Sequence, residues 1–375
     1  MTSRSEASRP SSLLEVFLVA LRLGLTSFGG PIAHLGYFRS EYVTRRRWLD
    51  EATYADLVAL CQSLPGPTSS EVGIAIGLLR AGPPGAFLAW LGFTLPSAFL
   101  MFVLAYALDR VIGTVGLVGR ALEFVAIVVV AFAVFNMARA FAWDIRRAAI
   151  ALAATALALA WHDRYAQVAI ILLAGVAGRL LLPATPVVTR VTHRVPIGRS
   201  TAIACGVLYV ALLIGLPVAG ATVASGEIRL FDSFYRSGAF VFGGGHVVLP
   251  LLQNEVVPPG WVTPDQFIAG YGAAQIMPGP LFTFAAYLGA LIAPGPAGGD
   301  LFAVWPPHGI AGALIALVAI FLPAFLVVFA ALPSWGELRS RPWAQSALSG
   351  VNAAVVGLLF AALIQLAIGA IASLR

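Results

Sequence analysis

Five long apolar runs organise the chain: residues 84–108, 118–140, 201–222, 308–332 and 345–372. Each is long enough to cross roughly 30 Å of hydrocarbon as a helix, and each predicts a membrane span. Between them lie shorter apolar stretches interrupted by glycine and proline. Residues 13–28 predict a short helix that carries Glu15 and Arg22 and ends at Phe28-Gly29-Gly30-Pro31. Glycine is a poor helix former and proline has no amide hydrogen to donate, so the helix stops there. Residues 52–64 and 68–80 are two helical arms joined at Pro65-Gly66-Pro67. Neither arm reaches a full crossing, which predicts a re-entrant hairpin or a broken helix. A tighter hairpin follows at 146–161 and 165–183. Residues 184–200, with Pro186, Arg190, Arg194, Pro196 and Arg199, read as a linker.

After the run at 201–222 the same order returns. Phe28-Gly29-Gly30-Pro31 and Gln62-Ser63-Leu64-Pro65-Gly66-Pro67 recur as Phe242-Gly243-Gly244-Gly245 and Gln275-Ile276-Met277-Pro278-Gly279-Pro280. Arg22, Gly24, Glu41 and Trp48-Leu49 are matched by Arg236, Gly238, Glu255 and Trp261-Val262, with a one-residue gap before the tryptophan. Leu95-Pro96-Ser97 is matched by Leu322-Pro323-Ala324, beyond a Gly/Pro-rich insertion at 292–307. Ordered sets of this kind mark an internal duplication. The chain divides into a polar tail (1–12), a first repeat (13–183), a basic linker with a connecting transmembrane helix (184–228) and a second repeat (229–375).

Arginine placement orients the repeats. The loop after the first Phe-Gly-Gly carries Arg39, Arg45, Arg46 and Arg47, whereas its counterpart, 245–262, carries none. The positive-inside rule puts the first loop in the cytoplasm and the second outside. Arg139, Arg146 and Arg147, then Arg190, Arg194 and Arg199, then Arg339 and Arg341 mark further cytoplasmic loops. The expected fold is an all-α polytopic membrane protein of two homologous, inverted-topology repeats, with broken or re-entrant helices at the Pro-Gly-Pro motifs. Transporters built this way hold substrate between the repeats, at interrupted helices.

Composition sharpens this reading. The chain is 59% hydrophobic and 11% charged, against roughly 25% charged in soluble domains. The net charge of +6 is carried by arginines in short loops, which act as topology signals and not as a nucleic-acid surface. Cys61 and Cys205 are isolated, so no metal site or disulfide framework is expected. His34 and His246 follow the two Phe-Gly-Gly motifs at different offsets, which supports no metal pair or matched relay. No cofactor is implied, and no cluster of carboxylates or histidines suggests an enzyme. The absence of a GxxxxGK[ST] motif argues against an ATP-driven pump.

Irregular backbone at membrane depth is tolerated where it lines a cavity or is buried in protein. The helix starts that follow Pro67 and Pro280 offer free N–H groups and partial positive charge, which suit an anion. Candidate substrate-binding residues are therefore Gly29, Gly30, Gly243, Gly244, Pro65, Gly66, Pro67, Pro278, Gly279 and Pro280. A membrane-buried arginine costs roughly 2.5–3.5 kcal/mol on insertion scales. Arg22 and Arg236, at equivalent places, could form guanidinium forks around a tetrahedral oxyanion, or each could pair with a local acid such as Glu15. Gln62 and Gln275 can donate to an oxyanion or cap the broken helices. Glu71, whose counterpart is Phe284, either carries a coupling proton or bridges to Arg80. Glu41 and Glu255 read as partners for loop arginines, and Trp48 and Trp261 as interfacial anchors.

The Phe28-Gly-Gly-Pro and Gln62-to-Pro67 motifs, continuing into Thr68-Ser69-Ser70, together with Phe242-Gly-Gly-Gly and Pro278-Gly-Pro-Leu281, resemble the chromate ion transporter family in its long, two-domain form. The likeness runs from about residue 13 to residue 370. It implies a secondary transporter of the bacterial inner membrane that exports chromate and confers chromate resistance. Its implied partners are chromate, with sulfate as competitor or exchange partner, the lipid bilayer and, at most, a second copy in a homodimer. The alternatives are a transporter of sulfate or a related oxyanion, or an anion channel.

Overall fold

The computed structural model describes residues 12–112, 127–128, 131–132, 134–135, 137–161, 166–183, 195–223, 225–241, 248–292, 308–335 and 341–372. The tail, most of the expected span at 118–140, most of the linker, Gly243, Gly244, His246 and nearly all of the 292–307 insertion lie outside them. Among the described residues every element is helical. The first copy contains α1 (Leu13–Thr26), α2 (Gly30–Phe38) continuing into a π-helical stretch (Arg39–Arg45), α3 (Glu51–Ser63) and α4 (Thr68–Ile112). After α5 (Ile145–Ala160), α6 (Ala166–Leu181) and α7 (Arg199–Thr222) come the second copy's α8 (Gly226–Ala239), α9 (Val248–Val256) and α10 (Pro264–Ile276). A 3-10 turn (Leu281–Thr283), α11 (Phe284–Leu291), α12 (Gly309–Ala331) and α13 (Pro342–Ala372) complete the order.

Among the described residues four helices are long and apolar enough to cross a membrane, within Thr68–Ala107, Arg199–Thr222, Gly309–Ser334 and Pro342–Gln365. The first is not one rod. Ala81 (φ −143°) and Gly82 (φ 68°) leave helical geometry ahead of Pro83 and Pro84, so α4 is a short arm followed by a long one. Gly77 packs on the Gly85 carbonyl and Ala89, which means the arms fold back on one another. The sequence pairs 68–80 with 52–64 across Pro65-Gly66-Pro67; the second fold-back, at Ala81-Gly82, is a finding of the structure. On α7 only Ala202 and Pro217 are buried, while Ile203, Val207, Val210 and Ile214 face outward. An apolar surface of that extent suits lipid and not water. The protein is a multi-pass membrane protein.

Local hydrogen bonding follows the duplication. Asp50 caps α3 by accepting from the Thr53 N–H, and Thr263, at the equivalent position, caps α10 in a reciprocal pair with Gln266. Just before each cap the chain reverses in the same way. The Tyr42 carbonyl accepts from the Trp48 and Leu49 amides, and the equivalent Val256 carbonyl accepts from those of Trp261 and Val262. These reversals fold both tryptophans inward, to 8% and 7% exposure. They are core residues and not interfacial anchors. Trp48 stacks on Tyr42 and lies under the guanidinium groups of Arg46 and Arg80.

Small residues set the helix spacing. A Cβ added at Gly24 would meet the Phe93 carbonyl of α4, and one at Gly238 would meet the equivalent Ile320 carbonyl of α12. Near the chain's end, Gly350 of α13 lies against the Ala174 carbonyl and Gly178 of α6, and Gly357 lies against the Ala151 carbonyl of α5. The Thr155 hydroxyl donates to the Gly357 carbonyl (2.9 Å). Backbones approach this closely where packing, and not water exclusion, drives helix association.

Candidate functional site

The two Pro-Gly-Pro turns are docked crosswise. Gly66, at φ +149°, donates its N–H to the Val241 carbonyl (2.6 Å). Gly279, at φ +95°, donates its N–H to the Ser27 carbonyl (2.9 Å). Ser27 and Val241 are equivalent residues, each just ahead of its own Phe-Gly-Gly motif. Side-chain surroundings are crossed as well. A Cβ on Gly66 would meet the Glu71 carboxylate and Ala324, and one on Gly279 would meet Ser97 Oγ (2.7 Å) and the Gly24 carbonyl (3.3 Å). Ala324 and Ser97 are equivalent too. Each copy's turn is therefore completed by the other copy. Pro67, Pro278 and Pro280 are buried and Pro65 is half-buried.

The first Phe-Gly-Gly break is formed by two left-handed residues, Gly29 (φ 92°) and Gly30 (φ 77°), with Gly29 as the N-cap of α2. Glycine takes this conformation without the steric cost other residues carry. Behind the break sits a polar seam. His34 and Ser69 share a hydrogen bond (Nδ1 to Oγ, 3.3 Å), and the His34 ring meets Phe93 edge-on (5.4 Å). Ser97 donates to the Thr94 carbonyl (3.2 Å). Ser27 Oγ, His34 Nε2, Ser70 Oγ, Thr94 Oγ1 and both Glu71 carboxylate oxygens are buried without a hydrogen-bond partner. Buried polar atoms are nearly always paired, so these six make the seam the candidate site. The seam is one-sided. Ser27, His34, Ser69, Ser70, Glu71, Thr94 and Ser97 correspond to Val241, Val248, Phe282, Thr283, Phe284, Phe321 and Ala324 in the second copy.

The arginines are placed differently from each other. Arg236 is held inside its own copy: Nε donates to Asp232 (2.9 Å), and Nη1 and Nη2 donate as a fork to Glu255 (2.8 and 2.9 Å). Arg22 is exposed on α1, off the buried stripe of Val16, Val19, Ala20, Leu23 and Gly24. The first-copy glutamate equivalent to Glu255 is Glu41, and its partners are Arg46 (2.7 Å) and Arg45 (3.3 Å). Arg46 also reaches Glu15 (2.8 Å). The local acid expected for Arg22 is thus taken by Arg46. Gln62 is exposed at the end of α3, whereas Gln275 bonds the Tyr271 side chain on its own helix.

Sequence reasoning named the turns and Glu71 as candidates, set His34 aside for want of a matched histidine, used Ser97 only as a repeat marker, and passed over Ser27 and Thr94. The signal available for them was polarity inside otherwise apolar segments, strongest in the run Thr68-Ser69-Ser70-Glu71. Among the described residues no group of three or more His, Cys, Asp or Glu is placed to hold a metal. A separate cleft of about 720 Å³ between α5 and α6 is lined mainly by alanine, leucine and isoleucine, with Arg146 its one charged side chain. Arg146 is exposed and donates to the Leu181 carbonyl (3.0 Å), and the rest of the lining is apolar.

The sequence pattern of the chromate transporter family matches residues 14–179 and again residues 228–374. The chain belongs to the chromate transporter family. One pattern covers both copies, each containing one Phe-Gly-Gly motif and one Pro-Gly-Pro motif. Among relatives in this chromate transporter family, the chromate transport protein of Pseudomonas aeruginosa is 30% identical over 96% of this chain and 82% of its own length. The probable chromate transport protein of Synechococcus elongatus is 29% identical over 95% of this chain and 84% of its own. An uncharacterized transporter of Methanocaldococcus jannaschii is 25% identical over 97% and 87%. No solved structure matches the chain.

Proposed function

We propose that this chromate transporter is a secondary carrier that expels chromate across the bacterial inner membrane and so confers chromate resistance. The observation that carries this reading is the crossed docking of the two Pro-Gly-Pro turns beside buried, unpartnered donors. The Gly66 and Gly279 amides hold the turns in place through the crossed bonds, and Gly29 and Gly30 open the backbone beside them. Gln62 and Gln275 flank the turns, and the amides that precede the α4 ladder favour an anion. Relatives bearing the chromate transport name support the substrate. Sulfate shares chromate's charge and shape and is the natural competitor. The test is accumulation of labelled chromate in everted membrane vesicles. Vesicles containing the protein should fill, excess sulfate should slow filling, and control vesicles should stay empty. Equal filling of both vesicle types would remove the carrier reading.

The mechanism proposed is rocking of two inverted-topology repeats about the crossed turns, exposing the site to each side in turn. The arginine asymmetry between the two loops supports inversion. Ser40 and Asn254 are exposed and equivalent, which makes them matched probes. With Cys61 and Cys205 replaced by alanine, Asn254→Cys should react with an impermeant thiol reagent added to intact cells, and Ser40→Cys should react only in everted vesicles. Labelling of both from the same side would sink the inverted arrangement.

A further inference from the structure

We infer that Ser27, His34, Ser69, Ser70, Glu71 and Thr94 form a single, one-sided site in which the oxyanion binds together with a proton on Glu71. This rests on the carrier reading above and adds its linkage to protons. All six side chains are buried to 3% exposure or less, and five of them leave a polar atom unpartnered. They surround the breaks themselves. Glu71 curls over Gly66, His34 is tied to Ser69, and the Ser27 carbonyl holds the Gly279 turn. The first bond within α4 runs from the Glu71 N–H to the Pro67 carbonyl (3.0 Å), so the amides of Thr68, Ser69 and Ser70 stand ahead of the helical ladder. Hydroxyls, an imidazole N–H and these amides are all donors to a tetrahedral oxyanion.

Glu71 is the exception that creates the linkage. An ionised carboxylate only accepts hydrogen bonds, whereas the acid form donates one. A dianion and a carboxylate in one buried site repel strongly unless a cation stands between them, and none does among the described residues. The ionisable groups that feel the Glu71 charge are the buried Cys61 thiol of α3 and Tyr209 of α7, whose hydroxyl donates to the Ala239 carbonyl (3.0 Å), while His34 of α2 bonds Ser69, two residues before Glu71. On the other elements packed against α4, the ionisable groups are engaged or turned away. Glu15 of α1 pairs with Arg46, and Arg22 is exposed. Glu51 of α3 pairs with Arg39, while Asp56 accepts from Trp335. Tyr54 donates to the Leu35 carbonyl. Tyr271 and Asp265 of α10 are bonded to Gln275 and exposed, respectively. Tyr287 of α11 donates to the Gln266 carbonyl. α12 carries no ionisable side chain. Arg80, nine residues along α4, stacks on Trp48. A proton on Glu71 is the remaining way to host a dianion, and the loaded site then carries one negative charge fewer.

The measurement is chromate-induced stabilisation of the purified protein, followed by its melting shift across pH, beside proton movement during chromate flux in proteoliposomes. In wild type the chromate Kd should rise with pH and chromate flux should carry protons. Glu71→Gln, which keeps a neutral donor, should bind with a Kd that no longer follows wild type's rise, and its flux should carry no protons. Comparing both proteins at each pH removes chromate's own protonation. Ser70→Ala should weaken binding several-fold and keep the wild-type pH profile. A wild-type pH profile in Glu71→Gln overturns the inference, as does a wild-type flux that follows sodium and not protons. Should Glu71→Gln not fold, unchanged chromate affinity in both Ser70→Ala and Ser27→Ala overturns it. Absence of chromate flux in wild type would instead strike the carrier reading.

Discussion

Gly66→Leu and Gly279→Leu are expected to abolish chromate transport while leaving the protein in the membrane. At φ +149° and +95° both residues hold a conformation that costs an L side chain about 1–2 kcal/mol. At Gly279 the new Cβ would also press on Ser97 Oγ and the Gly24 carbonyl, and at Gly66 on the Glu71 carboxylate. Overpacking of that kind adds about 1–3 kcal/mol. The larger effect falls on the crossed bonds, because moving either turn lengthens its hydrogen bond to the other copy and fills the space beside the buried donors. Gly36→Leu is the control, since Gly36 is exposed with nothing within 4 Å of an added Cβ. It should transport normally. Wild-type chromate accumulation by either turn variant would move the site away from the turns.

Arg236→Ala is expected to destabilise the protein by about 3–5 kcal/mol, the usual result of stripping one partner from a buried ion pair. The side chains of Arg236 and Asp232 are 12% and 8% exposed and that of Glu255 is 25% exposed, so two carboxylates would be left facing each other out of water. Arg236→Lys should recover only part of the loss, because an ammonium cannot reproduce the fork to Glu255. Arg22→Ala, at an exposed site, should stay within about 0.5 kcal/mol of wild type. Thermal unfolding in detergent measures all three. The competing reading, in which both arginines clasp the anion, predicts a different pattern. Arg22→Lys and Arg236→Lys would then weaken chromate affinity by similar factors, and Arg22→Ala would lose binding at unchanged stability. That outcome would return the arginine pair to the site.

What the sequence by itself determined is what local chemistry determines. Run length gave the crossings at 201–222, 308–332 and 345–372, because helix rise and bilayer thickness are fixed. Glycine and proline gave the breaks at Gly29-Gly30 and at the Pro-Gly-Pro turns, and the repeated motifs gave the duplication, whereas the matched caps at Asp50 and Thr263 came from the structure. The tertiary structure decided which side chains meet. In a bilayer the lipid-facing and core-facing sides of a helix are both apolar, so periodicity could not show that Arg22 leaves the buried stripe of α1. Nor could spacing show that Arg46 takes the place of Arg22 beside the equivalent glutamate, since the two lie on elements brought together only by packing. The tryptophans are buried because a chain reversal turns them inward. The polar seam exists because Ser27, His34 and Ser69–Glu71, from three separate elements, converge where the Gly279 turn of the second copy seats on the first copy's break. Composition records that such residues exist, but only the packed chain leaves them buried together without partners.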